Sequence, residues 1–154
     1  MTLSIFNDYL AHSFKFAFEY SIIKVMNQPP LILLVDDEAD FLAIFYTKLR
    51  QAGFRVETAE NGEKAIEEAK RLKPDLILMD MKMPKMNGAQ AVMKLKEDPG
   101  TKDIKVVFLT NFGDPRTEME KVDRKFSQDI GAMDYLRKTS DLDEIVQKIL
   151  NFFK

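Results

Sequence analysis

Four apolar runs in this chain end in a polar residue of a chemically useful kind. "LILLV" leads into Asp36, Asp37 and Glu38. "DLILM" leads into Asp80, "IKVVFL" into Thr110, and "AMDYLR" into Lys138. Two ionised carboxylates about 4 Å apart repel by about 4 kcal/mol at an effective dielectric of about 20. A fold that gathers three of them needs a compensating charge. Mg²⁺ suits such a cluster, because it takes hard oxygen ligands and keeps several waters. The bland alternative is a solvated Asp36–Asp37 pair that caps the following helix.

The elements around these residues decide between the two. Each apolar run reads as a strand buried on both faces. Residues 38–51 follow the first run, with Phe41, Leu42, Phe45 and Leu49 at helical spacing and Gly53 as a stop. "FRVETA" reads as a strand, 62–72 as a helix, and the turn "MPKMNG" precedes a helix from about Ala89 to Lys96. Asp114–Pro115 marks a helix start, with that helix reaching about Ile130. The last helix lies in "SDLDEIVQKILNFF", where Ser140 and Asp143 have capping-box spacing. Five βα units in succession predict an α/β fold, a doubly wound, flavodoxin-like parallel sheet of five strands, (βα)5. Such sheets bind ligands beyond the carboxyl ends of their strands. Asp36, Asp37, Asp80, Thr110 and Lys138 then share one rim, which favours the cation-binding reading over the capping one.

Composition narrows the function. The chain has 154 residues, 45% hydrophobic and 31% charged, with net charge −2. That is ordinary for a globular domain, and it predicts no broad attraction to nucleic acid or anionic membrane. There is no Cys, so thiol catalysis and thiolate metal sites are excluded, and His12 is the single histidine. No apolar run approaches the roughly 20 residues of a membrane span, and the start lacks the pattern of a signal peptide. The expected location is cytoplasmic. Residues 1–26 carry Phe6, Leu10, Phe14, Phe18, Ile22 and Val25 at helical spacing. Pro29–Pro30 ends that pattern. The expected organisation is an amphipathic helix and linker at 1–28 and a domain at 29–154. An exposed apolar stripe usually marks a contact, so a homodimer through this helix is expected.

"LLVDDE", "DLILMDMKMPKMNG", "VVFLT" and "GAMDYLRK" together resemble the receiver domain of two-component response regulators, over residues 31–153. The resemblance implies an Mg²⁺-dependent phosphoacceptor switch rather than a turnover enzyme. Asp80 would take the phosphoryl group from a histidine kinase or a histidine phosphotransfer protein. Asp37 would bind Mg²⁺ directly, Asp36 mainly through water, Asp80 by its carboxylate and Lys82 by its backbone carbonyl. Thr110 and Lys138 would contact the phosphoryl oxygens. Thr110 and Tyr135 would be the switch pair, and output would be docking to a downstream protein, with no output domain after residue 154. The chemistry is coherent on its own terms. Phosphoryl transfer chiefly needs alignment and charge stabilisation, and a carboxylate is already a nucleophile.

Departures from the family pattern carry their own expectations. Thr139 stands where the family usually has Pro in a cis bond. A trans Lys138–Thr139 bond is expected, because cis before a residue other than Pro costs about 2.5–4 kcal/mol. Lys82 and Phe112 lie two residues after Asp80 and Thr110, where they would flank attacking water and slow hydrolysis. The 28 positions from Thr110 to Lys138 exceed the usual length and imply a longer fourth helix or loop. Two other readings compete. One is a phospho-independent interaction module with a decayed site, which the intact acids oppose. The other is a haloacid-type phosphatase, which needs a second Asp where this chain has Lys82.

Overall fold

Five strands form one parallel sheet in the order β2-β1-β3-β4-β5. They are β1 (Leu31–Val35), β2 (Arg55–Ala59), β3 (Leu76–Asp80), β4 (Lys105–Thr110) and β5 (Asp134–Arg137). Helices α1 (Ala39–Gln51), α2 (Gly62–Leu72), α3 (Gly88–Glu97) and α5 (Leu142–Asn151) join them. Residues 125–129, here α4, are helical ahead of β5. This computed structural model describes residues 28–111, 125–138 and 140–154. The expected helix and dimer contact at 1–26, the Asp114–Pro115 helix start, Phe112 and the Lys138–Thr139 bond lie outside the described residues. Among the described residues, no helix is long and apolar enough to cross a membrane.

Position in the sheet explains why the inner strands are apolar without alternation. β1 and β3 are buried at every position, because each has a strand on both sides and helices on both faces. The edge strand β2 is largely exposed instead, burying only Val56 on one face and Ala59 on the other. Strand alternation divides the core into two layers. Ile32, Leu34, Leu76, Leu78, Val107, Leu109 and Leu136 pack with Phe45, Leu49, Ile145 and Ile149 of α1 and α5. Leu33, Val35, Ile77, Met79, Val106, Phe108 and Tyr135 pack with Ala65, Ala69, Ala91 and Leu95 of α2 and α3.

Polar residues set the helix ends. Asn61 accepts from the Lys64 N–H at 2.9 Å to start α2. Asn87 and Gln90 form a reciprocal capping box at α3, with bonds of 2.8 and 3.0 Å. Gly53 adopts φ +96° and ends α1, as expected from the sequence. One expectation is corrected. α5 is capped by Asp141, which accepts from the Asp143 N–H at 2.7 Å, and not by a Ser140–Asp143 box. The helix begins at Leu142, so Ser140 stands one position too early, in a turn where its N–H donates to the Arg137 carbonyl at 3.2 Å.

Candidate functional site

Strand alternation aims the polar strand ends. Asp36 follows β1, and its N–H still donates to the Ala59 carbonyl, so the ladder extends to it. Lys138 likewise donates its N–H to the Thr110 carbonyl at 2.9 Å. Asp36, Asp80 and Lys138 therefore continue the Leu34, Leu78 and Leu136 rows on the α1–α5 face. Thr110 continues the Val106–Phe108 row on the opposite face, the one that carries Tyr135.

Asp36, Asp37 and Asp80 each bring a carboxylate oxygen within 4.8 Å of the others. Asp36 and Asp80 are buried and Asp37 is exposed. Lys138, whose side chain is only 4% exposed, sets its ammonium against Asp36 Oδ2, 3.3 Å from Asp80 Oδ1 and 3.2 Å from Glu38 Oε1. The same ammonium lies 4.5 Å from the centroid of the Phe41 ring. Asp36 Oδ1 accepts from the Glu38 N–H at 2.9 Å in a turn just ahead of α1, whose own N-cap residue is Glu38, so neither acid of the pair caps the helix. Asp36 Oδ2 is enclosed, with the Lys138 ammonium as its partner.

Electrostatics follow from this crowding. Burial pushes the Asp80 carboxyl up to about 6, and the negative charges of Asp36 and Asp37 add to that, while Lys138 opposes it. Burial also raises Asp36, against the lowering effect of Lys138 and the Glu38 N–H. For Lys138, burial disfavours the charge, but Asp36, Asp80 and Glu38 together hold its pKa above the ordinary lysine value. Three hard carboxylate oxygen donors within 4.8 Å of one another match the donor set of a small divalent cation. A cleft of about 420 Å³ opens on this cluster, lined by Asp37, Asp80, Lys82, Met83 and Asn111 among others.

The sequence reading thus names five residues that the fold gathers at one rim, with Lys82 on the cleft wall. Tyr135 stands apart from the acids, buried on the other face, with its hydroxyl accepting from Arg137 Nε at 3.1 Å. Three participants were not singled out. Glu38 and Phe41 meet the Lys138 ammonium, and their i, i+3 spacing in "EADF" was the available signal. Gly88 is the third. A Cβ there would fall 2.1 Å from the Asp80 carbonyl oxygen, so only glycine lets the start of α3 close on the end of β3.

The family model described as "Response regulator receiver domain" matches residues 32–150. The chain belongs to the response regulator receiver family. It is thus a signalling receiver of the two-component type. Protein PilH of Pseudomonas aeruginosa is 35% identical over 77% of this chain and 93% of its own length. The phosphate regulon transcriptional regulatory protein PhoB of Escherichia coli is 36% identical over 77% of this chain and 49% of its own. The receiver spans about half the length of PhoB and of other curated relatives it matches. Among solved structures, it resembles the receiver domain of a Pseudomonas aeruginosa sensor histidine kinase with a TM-score of 0.68. That match has 28% identity and covers 80% of this chain and 95% of the other. The latter structure has a magnesium ion coordinated in its active site cleft.

Proposed function

We propose that this receiver is an Mg²⁺-dependent phosphoacceptor switch with Asp80 as the acceptor. The observation that carries the proposal is the Lys138 ammonium set between Asp36 and Asp80, beside the three-carboxylate cluster and at a cleft open to solvent. Asp36, Asp37, Asp80 and the Lys82 carbonyl would hold the cation. When bound, it supplies positive charge against the transferring phosphoryl oxygens. An Asp80 oxygen attacks phosphorus, forming the acyl phosphate bond as the bond to the donor histidine nitrogen breaks and the imidazole departs. Lys138 stabilises the charge on the equatorial oxygens, and Thr110 reaches them from the end of β4. Lys138 and Asp80 come from adjacent parts of one rim, so alignment needs no large closure.

The added charge at the end of β3 then biases Thr110 and, through the face they share, Tyr135 between two arrangements. The donor would be a histidine kinase or histidine phosphotransfer protein in the cytoplasm, and the output a downstream protein docked on the switched surface. Residues 29–154 would form the receiver unit, with 1–28 as a separate segment that mediates self-association. Intact mass after incubation with acetyl phosphate and Mg²⁺ tests the core of this reading. Wild type gains one phosphoryl group, and Asp80→Asn gains none. A gain in Asp80→Asn at the wild-type rate would refute the assignment, as would no gain in wild type with any small donor.

A further inference from the structure

Glu38 occupies the N-cap position of α1, yet its side chain caps nothing. A short carboxylate such as Asp there would accept from the free N–H groups of the first turn. Here Glu38 turns to the Lys138 ammonium at 3.2 Å, although the two residues are 100 positions apart. One turn along the same helix face, Phe41 holds its ring 4.5 Å from that ammonium. The ammonium therefore has four partners, and they differ in kind. Asp36 is fully buried and Asp80 nearly so. Glu38 is 58% exposed at its side chain and can leave for water at little cost.

We propose that Glu38 and Phe41 form a resting seat for Lys138, and that Glu38 acts as a brake by competing with phosphoryl oxygens for its ammonium. This rests on the reading that Lys138 contacts the phosphoryl group. Both are positioning residues, acting only through Lys138. An arriving phosphoryl group is an acceptor of the same sign as Glu38, and an ammonium that turns toward one draws away from the other. Phe41 offers a surface that holds the cation without fixing a direction, so the head can turn while staying over the ring. Asp40, two positions after Glu38, is also exposed but makes no ion pair with Lys138. It therefore separates a specific brake from a general effect of local negative charge.

The test compares beryllofluoride affinity in Mg²⁺, by calorimetry, for wild type, Glu38→Gln, Asp40→Asn, Lys138→Ala and the Glu38→Gln/Lys138→Ala double variant. Competition from an exposed ion pair predicts that Glu38→Gln binds about twofold to fivefold more tightly. Asp40→Asn should match wild type, and the gain should vanish in the Lys138→Ala background. A second readout needs no metal: acetylation of Lys138 by acetic anhydride in EDTA, followed by peptide mass spectrometry. Glu38→Gln and Phe41→Ala should each speed that modification, and Asp40→Asn should not. Equal gains from Glu38→Gln and Asp40→Asn would overturn the inference, as would a gain that survives loss of Lys138 or unchanged acetylation in Glu38→Gln. If Lys138→Ala binds beryllofluoride as wild type does, the phosphoryl-contact reading fails and the brake falls with it. If Lys138→Ala binds weakly but Glu38→Gln changes nothing, only the brake fails.

Discussion

Replacing Asp80 with Asn should stabilise the metal-free protein near neutral pH. Asp80 is 4% exposed, and its carboxyl is raised from an ordinary 3.8 to about 6 by burial and by Asp36, against the pull of Lys138. The charged form is thus less favourable in the folded chain than in the unfolded one. Below about pH 4 both states hold the proton, and the group contributes nothing. As pH rises from about 4 to about 6 the unfolded chain ionises first, and stability falls. Above about pH 6 the penalty is complete. At 1.36 kcal/mol per pH unit, the gap between 3.8 and about 6 amounts to about 3 kcal/mol. Asn keeps the shape and cannot ionise, so it removes that penalty. For a chain of this size the gain corresponds to about 6–12 °C in Tm. Thermal unfolding in EDTA at pH 7.5 and pH 4, about the two ends of the window, measures it. The difference should be large at the first pH and small at the second, and Mg²⁺ should narrow it at pH 7.5 by stabilising the wild-type carboxylate. An Asp80→Asn protein no more stable than wild type at pH 7.5 in EDTA would refute the reasoning, because it would mean that Lys138 fully offsets the buried charge.

Asp37→Ala should weaken Mg²⁺ binding by an order of magnitude or more while leaving the fold intact, since Asp37 is an exposed member of the oxygen cluster; isothermal titration checks this, and unchanged affinity removes Asp37 from the site. Gly88→Ala should cost about 1–3 kcal/mol or more and slow phosphorylation, because the added Cβ would meet the Asp80 carbonyl at 2.1 Å; urea denaturation and intact-mass kinetics read both, and a neutral outcome would show that α3 shifts freely. Lys82→Asn should shorten the phosphorylated lifetime by opening the cleft wall beside Asp80 to water; an equal or longer lifetime would contradict the expectation that Lys82 slows hydrolysis.

The rim was legible because topology alone assembles it. In a parallel sheet every strand delivers its carboxyl end to the same edge, so "LLVDD", "LILMD", "VVFLT" and "DYLRK" need only be strands for their last residues to meet. No knowledge of helix orientation enters that inference. The features that escaped depend on such knowledge. Glu38 meets Lys138 only because the lysine side chain extends from the end of β5 to the start of α1, a relation between segments 100 positions apart. Gly88 matters because the turn after Met83 folds back far enough for its own N–H to bond the Met81 carbonyl at 3.0 Å, and a glycine in "MPKMNG" reads equally well as an ordinary turn residue. At α5, Ser140 with Asp143 and Asp141 alone both satisfy capping patterns, and the start of the helix at Leu142 decides for Asp141. Residue type and strand order therefore determine which groups meet, while helix placement determines how tightly each is held. In this receiver the Lys138 ammonium shows the difference, since its arrival at the rim follows from β5 alone and its balance between Asp36, Asp80 and Glu38 follows from where α1 begins.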